Sequence, residues 1–162
     1  MIGLRILCFG NTLHSDDGIG AAVALRLREQ MLPKEVEVHD VGLLGLNALP
    51  LFKQTMSVLV VDAADVGLSP GHFKFLSPEQ LNHVDVADHM GGVGYLLQAV
   101  NALITPLPQL DVFAIQPAVC KSFSPVLSKE AESSLDAVVE AIIDYANNKI
   151  LRQNVSTHRQ VL

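Results

Sequence analysis

The apolar positions of the chain show two patterns, one typical of strands and one typical of helices, and the two patterns alternate along the sequence. Short apolar runs of strand length alternate with segments in which apolar residues recur every three or four positions. The runs predict five strands, at residues 4–9, 36–41, 57–61, 72–76 and 110–115. Because strands and helices alternate, this order predicts an α/β fold, a three-layer α/β/α sandwich around a largely parallel, mixed five-stranded sheet.

Three helices and one short helical segment are expected between and after these strands. Apolar residues at helical spacing after Gly18 predict the first helix, and a short helix limited by Pro50 follows the second strand. A further helix is expected over residues 93–103. The longest is expected over about residues 129–151, where Ser128 is suited to cap the first turn.

Two segments lack either periodicity. Residues 77–94 are polar and contain glycine, which indicates a long loop, and loops of that length in compact domains are often functional. Residues 153–162 lose the apolar repeat of the preceding helix. We therefore expect one domain over residues 1–152 and a mobile C-terminal tail over residues 153–162.

Composition narrows the class of partner. Polar residues or proline break every apolar run well before the roughly 20 residues that a membrane-spanning helix needs. A net charge of -6 without a Lys/Arg cluster disfavours nucleic acid, whose phosphates require basic contacts. The N-terminal residues lead directly into a strand, and Cys8 and Cys120 show no CxxC spacing. These features predict a cytoplasmic protein with reduced thiols, and we expect it to be a monomer.

The candidate chemistry lies where predicted strands end. The first strand opens into residues 10–20, which contain the adjacent carboxylates Asp16 and Asp17, and Asp62 ends the third strand. Open α/β sheets bind ligands at the carboxyl ends of their strands. His89, in the long loop, is positioned to join one of the two acids and Asp62 in a common cleft. Carboxylate and imidazole ligands suit zinc, nickel or cadmium, and three protein ligands leave a position for water or substrate.

Each of these residues also has a structural interpretation. Asp16 is placed to cap the first helix, which is the common role of an aspartate before a helix. A loop histidine such as His89 faces solvent by default. Asp62 is harder to explain structurally, because a buried carboxylate is costly unless it is paired or bound to a cation. No HExxH motif supports a metal site, so the alternatives stay open at this point.

Two other classes of site are disfavoured by spacing. Gly10, Gly18 and Gly20 do not form GxGxxG, and the adjacent acids would repel a pyrophosphate. No serine lies in a GxSxG elbow. The remaining expectation is chemistry linked to a metal ion or to the carboxylates themselves.

Taken in order, these motifs resemble the nickel-iron hydrogenase maturation endopeptidases. The resemblance rests on Gly10-Asn11, Asp16-Asp17-Gly18-Ile19-Gly20, Asp40-Val41-Gly42, Asp62-Ala63, Pro70-Gly71, His89 and Ile115-Gln116-Pro117. It implies a phosphorylase/hydrolase-like fold and an aspartic-type endopeptidase. Such an enzyme removes the C-terminal extension of a hydrogenase large-subunit precursor after nickel insertion, with the nickel as the recognition signal.

The resemblance also assigns roles to residues of this chain. Asp17, Asp62 and His89 would contact the nickel of the precursor, with Asp17 and Asp62 as the catalytic residues. No cofactor would be permanently bound, because the nickel is supplied by the substrate. The chain departs from the family pattern at Leu43, where a threonine is usual, and at Asp88, where serine or proline is common. The Asp88 carboxylate is suited either to strengthen cation binding or to orient the His89 ring.

Two alternative functions use the same residues. One is a general hydrolase that holds its own catalytic zinc through Asp17, Asp62 and His89. The other is an accessory protein that binds nickel or the precursor without cutting it, which the Leu43 departure suggests.

Overall fold

A sheet of five strands forms the middle layer. The computed structural model describes residues 2–77, 80, 92–121 and 123–159. The strands are β1 (Ile2–Phe9), β2 (Val36–Gly42), β3 (Thr55–Ala63), β4 (Phe73–Leu76) and β5 (Gln109–Ile115). Their order in the sheet is β2-β1-β3-β5-β4, with β2, β1, β3 and β5 parallel and β4 antiparallel to β5. The predicted mixed, largely parallel sheet is confirmed.

Helices cover both faces of this sheet. The α-helices are α1 (Ile19–Arg28), α2 (Gly92–Leu103) and α3 (Lys129–Arg159), and two 3₁₀ helices span Ser15–Gly18 and Gly45–Phe52. Residues of α1 and α3 share one apolar core with the sheet, whereas α2 and the Gly45–Phe52 helix share the other. The three-layer sandwich is therefore confirmed. None of the described helices is long and apolar enough to cross a membrane.

The two cores follow from the two-residue period of a strand. In β1, Ile6 and Cys8 lie in the core under α1 and α3, whereas Leu7 and Phe9 lie in the opposite core. Successive side chains point to opposite faces of a strand, so a strand covered on both sides must be apolar throughout. The continuous apolar runs therefore mark the central strands of the sheet.

The longest helix extends beyond its predicted end. The prediction that it stops at about residue 151 is wrong, because α3 continues to Arg159. Its later turns are polar, yet the Gln153 amide donates hydrogen bonds to the Gly3 carbonyl (3.1 Å) and to Ser57 Oγ (2.9 Å). The boundary expected between residues 152 and 153 thus falls within a continuous helix. The hydrogen bonds from Gln153 attach this part of α3 to the sheet, although its sequence has no apolar repeat from which the helix could be predicted.

Smaller differences concern the loops. The short helix expected to stop at Pro50 ends at Phe52, and the Pro50 carbonyl accepts the Lys53 N–H at 3.2 Å. The last residues of the predicted long loop already belong to α2, which begins at Gly92. Most of that loop, including Asp88 and His89, lies outside the described residues.

The connection from β1 to α1 is too tight for side chains at two glycines. A Cβ on Gly20 would lie 2.0 Å from the Phe9 carbonyl oxygen. A Cβ on Gly10, whose φ is +134°, would lie 1.8 Å from the carbonyl oxygen of Asp17. The loop therefore folds back on the end of β1, and its two glycines bring the Asp17 backbone against the sheet.

We expect Gly20→Ala to lower the free energy of unfolding by about 1–3 kcal/mol, because the added methyl group forces the helix away from Phe9. This is opposite in sign to the usual gain of about 1 kcal/mol when glycine in a helix becomes alanine. Urea unfolding of the purified variant measures the change.

Gly67→Ala is the matched control. Gly67 has a φ of +72° and no atom within 4 Å of an added Cβ. Its substitution should therefore lower the free energy of unfolding only through the unfavourable backbone conformation, by about 1 kcal/mol. A Gly20→Ala protein as stable as the parent would contradict the proposed close packing.

Candidate active site

The candidate site lies at the carboxyl edge of the sheet between β1 and β3. These two strands are neighbours, but β1 pairs on its other side with β2 and β3 with β5. Strand order reverses at this point, where open α/β sheets leave a crevice for ligands. The Ser15–Gly18 helix after β1 packs against β3, which brings the loop acids close to the end of that strand.

Asp16 is a buried structural anchor. Its carboxylate accepts four hydrogen bonds, from Ala118 N–H (2.8 Å), Val119 N–H (3.1 Å), Ser128 N–H (2.7 Å) and Ser128 O–H (2.8 Å). The predicted cap of α1 is wrong, because Gly18 occupies that position. Asp16 instead ties the β1 loop to the segment between β5 and α3.

These bonds determine the charge state of Asp16. Burial acts to raise the pKa of the carboxyl group, but the hydrogen bonds from Ser128, Val119 and Ala118 outweigh it and hold the pKa below its usual value. Ser128 also serves its predicted role, since its hydroxyl accepts the Ala131 N–H (3.1 Å) in the first turn of α3. An ionised Asp16 therefore joins three segments of backbone.

Asp17 has a different environment although it is the next residue. It is half-buried, and its Oδ2 accepts one hydrogen bond, from Asn11 N–H at 2.9 Å. Asn11 in turn accepts the Leu13 N–H through Oδ1 (3.0 Å), which fixes the turn that carries this donor. Asp17 is thus held in place at one oxygen.

Asp62, in β3, is buried and coupled to Asp17. Burial, followed by the negative charge of Asp17, raises the pKa of Asp62 to about 8, while a hydrogen bond from the Ala63 backbone acts in the opposite direction. Asp62 therefore keeps its proton at neutral pH, next to the negative charge of Asp17. A group tuned in this way is suited to proton transfer or to binding a cation that displaces the proton.

Cys120 lies beside these acids, which its sequence position does not reveal. Partial burial of the sulfur, followed by the charges of Asp17 and Asp16, raises the pKa of the Cys120 thiol. The residue reaches the site because Asp16 holds the neighbouring Ala118 and Val119. Cys8, by contrast, is buried in the apolar core, as expected for a cysteine in an apolar run.

The third predicted ligand cannot be placed, because His89 lies outside the described residues. Among residues 2–77, 80, 92–121 and 123–159, no three His, Cys, Asp or Glu side chains are grouped so as to hold a metal ion. The structure therefore brings together Asp17 and Asp62, and their roles with His89 in metal binding stay a prediction.

The other family motifs build the scaffold around the pair. Gln116 Oε1 accepts the N–H groups of Val66 (2.9 Å) and Leu68 (3.2 Å), which orders the loop after β3. A Cβ on Gly71, whose φ is +80°, would lie 2.8 Å from the Glu130 carbonyl oxygen in α3. These residues connect the loops at this edge and do not themselves form the acid pair.

We expect Asp16→Asn to reduce the free energy of unfolding by about 3 kcal/mol, because the amide is a weaker acceptor and turns an N–H₂ group toward backbone donors. Asp17→Asn is the adjacent control and should change stability by less than about 1 kcal/mol, since it alters the single hydrogen bond from the Asn11 N–H, at a half-buried side chain. Chemical denaturation of both variants compares them, and equal losses would contradict the anchoring role.

The raised pKa of Asp62 predicts a pH dependence of stability. An unfolded aspartate ionises near pH 4, whereas folded Asp62 ionises near pH 8. Between these values the folded state keeps a proton that the unfolded chain releases, so this group lowers stability as pH rises from about 4 to about 8, by at most about 1.4 kcal/mol per pH unit.

Asp62→Asn should remove this decline, because the amide does not ionise. Denaturant unfolding from pH 5 to pH 9, without added divalent cation, compares the variant with the parent. Asp17→Asn should make the decline end at a lower pH than in the parent, since the charge of Asp17 raises the folded-state pKa of Asp62. Parallel stability profiles for the parent and Asp62→Asn would refute the assignment.

Comparisons with known proteins agree with this architecture. A putative hydrogenase maturation protease from Methanocaldococcus jannaschii is 31% identical over 152 residues, covering 86% of this chain and 94% of the relative. The hydrogenase expression/formation protein HupD of Rhodobacter capsulatus is 37% identical over 143 residues, covering 85% and 68% of the two chains.

Solved structures give the same fold. The hydrogenase maturating endopeptidase HybD of E. coli superposes with a TM-score of 0.78 at 21% identity, covering 90% of this chain and 93% of the other. HybD from Thermococcus kodakarensis gives a TM-score of 0.74 at 23% identity, covering 89% and 99%. The family model described as hydrogenase maturation protease matches residues 21–145. The chain therefore belongs to the hydrogenase maturation protease family and is a peptide hydrolase.

Proposed function

We propose that this protein removes the C-terminal extension of a nickel-iron hydrogenase large-subunit precursor after nickel has been inserted. The observation that carries the proposal is the coupled pair of Asp17 and Asp62 at the carboxyl edge of the sheet. Family membership supports the substrate class. The nickel is part of the substrate in this proposal, and the protein keeps no permanently bound cofactor.

The acid pair supports recognition of a cation. Without one, the charge of Asp17 and the burial of Asp62 oppose full ionisation of the pair. A divalent cation relieves that repulsion and releases the proton from Asp62, so cation binding and ionisation favour each other. Two carboxylates leave a divalent ion far from fully coordinated, and we assign the third protein contact to His89. A substrate that brings its own metal and ligands would complete the site.

This incomplete site acts as a checkpoint. A precursor without nickel would leave two acids facing each other with no cation between them, so it binds without being positioned for cleavage. A precursor with nickel places its own metal against Asp17 and Asp62, next to the peptide bond to be cut. Specificity then depends on a ligand set that only the mature metal site supplies.

The same geometry supports the chemistry of an aspartic-type peptidase. Once the cation of the substrate has displaced the Asp62 proton, both carboxylates are ionised and can act as bases in peptide hydrolysis. Asp17, held at one oxygen by Asn11, is suited to accept the proton of an attacking water. The nickel of the substrate would polarise the scissile carbonyl or acidify that water, which contributes several kcal/mol to lowering the barrier.

The test uses the full-length protein with a hydrogenase large-subunit precursor, loaded with nickel or free of nickel. We expect cleavage of the loaded form only, observed as loss of the C-terminal peptide by mass spectrometry. Asp17→Asn and Asp62→Asn should each reduce the cleavage rate at least about 100-fold, because each removes a charge that faces the cation. Asp136→Asn, a change of the same kind on the exposed surface of α3, should leave the rate unchanged.

Three results would contradict the proposal. Equal cleavage of both precursors would remove nickel as the signal. Binding of the loaded precursor without any change of mass would indicate the non-cleaving accessory protein. Stoichiometric zinc retained through purification, together with cleavage of unrelated peptides, would indicate a general hydrolase with its own metal.

A further inference from the structure

Three exposed apolar side chains lie on the loop that carries Asp17 or on the segment hydrogen-bonded to it. Leu13 is 54% exposed, Val119 is 43% exposed and Phe123 is 90% exposed. Leu13 belongs to the loop after β1, and the other two belong to the segment between β5 and α3. We call these three residues the apolar rim. Single exposed apolar residues need no explanation, but these three are carried by segments that hydrogen-bond to each other next to a candidate active site.

Backbone hydrogen bonds hold the apolar rim in one arrangement. Ser124 N–H donates to the Leu13 carbonyl (2.9 Å), and Ser15 N–H donates to the Ser124 carbonyl (2.7 Å). Val119 both donates to the Asp16 carboxylate (3.1 Å) and accepts the Asp16 N–H (3.1 Å). The rim residues therefore keep their positions relative to each other and to Asp17. A preformed surface loses little conformational entropy when a partner binds.

Phe123 combines exposure with an unfavourable backbone conformation. Its φ is +59°, in the left-handed region that residues with a bulky side chain rarely adopt. Ser15, across the same short ladder, has a φ of +52°. Strained residues of this kind cluster at ligand clamps. The ring of Phe123 is exposed on the segment that hydrogen-bonds to the loop of Asp17, where it is available to a bound molecule.

The charges next to the rim restrict what can bind there. Asp17 and Asp62 disfavour an acidic partner and favour one that carries a cation. A second copy of this chain is disfavoured, because a symmetric contact through the rim would bring two sets of these acids together, on chains that each carry a net charge of -6. The partner must therefore combine apolar side chains with a nearby cation and few acidic groups.

We propose that Leu13, Val119 and Phe123 bind apolar side chains of the precursor polypeptide next to the scissile bond. The identity of the precursor rests on the function proposed above, whereas the apolar contact rests on the rim. Because the rim is separate from the acid pair, it binds the precursor with or without nickel. It therefore contributes to affinity and positioning, and the acids contribute to the response to the cation.

The test compares two double variants with matched exposure. Leu13→Asn/Phe123→Asn changes the rim, and asparagine tolerates the left-handed φ of position 123, so the fold is kept. Met31→Asn/Leu107→Asn changes side chains that are 100% and 48% exposed, in the connections that follow α1 and α2. Binding of nickel-free precursor is measured by calorimetry, and cleavage of the nickel-loaded precursor by its KM and kcat.

We expect the rim variant to raise the Kd and the KM about tenfold or more, as for truncation of residues central to an interface, with little change in kcat. The control should match the parent. An unchanged Kd in the rim variant, an equal loss in the control, or no binding of the nickel-free precursor by the parent would overturn the inference. A parent that dimerises in sedimentation while the rim variant does not would assign the surface to a second copy and would also overturn it.

The outcomes separate this inference from the proposed function. If the parent cleaves the precursor and the rim variant has the same KM, the proposed function stands and the proposed role of the apolar rim is contradicted. Rim-dependent binding of a precursor that the parent never cleaves retains the rim and rejects the function.

Discussion

The four hydrogen bonds to the Asp16 carboxylate are the interaction on which the site depends. They connect the loop after β1 to residues 118, 119 and 128, and so to the start of α3. The remaining bonds between the loop that carries Asp17 and the segment that carries Cys120 and Phe123 do not involve this carboxylate. They include the short ladder between residues 13–15 and 124, the bond from the Asp16 N–H to the Val119 carbonyl (3.1 Å) and the bond from the Ser15 hydroxyl to the Lys121 carbonyl (3.5 Å). A charged acceptor suits this place, because the N–H groups of residues 118, 119 and 128 converge there and hydrogen bonds to a carboxylate are stronger than those to a neutral acceptor.

Two adjacent aspartates thus serve opposite purposes, and their surroundings make the difference. Asp16 is saturated with donors, so its charge is stabilised and it contributes structure. Asp17 accepts a single hydrogen bond, from the Asn11 N–H. Its negative charge lies close enough to Asp62 to oppose the ionisation of that side chain. The protein keeps this unfavourable pair next to a rigid anchor, which is the arrangement expected where local stability is given up for function.

Much of the fold could be predicted from periodicity. Continuous apolar runs identified the strands that are covered on both faces, and the spacing after Gly18 identified α1. The glycines at positions 10 and 20 could be recognised as a motif, but the reason for them, contact with the Asp17 and Phe9 carbonyl groups, depends on how the loop folds back. The end of α3 was missed because side-chain bonds from Gln153 to the sheet, which local sequence does not encode, fasten its polar turns.

By itself the sequence determined the layers of the fold, the order of its elements, the family and the candidate acids, because period, turn residues and motif spacing are local properties. Only the tertiary structure decided which aspartate is held by four hydrogen bonds and which lies beside Asp62, since the partners of Asp16 lie more than 100 residues away along the chain. It also decided that Cys120 and Phe123 lie beside Asp17. The physical reason is that a carboxylate's role follows from its donors, its burial and the neighbouring charges, and folding brings these together from distant segments.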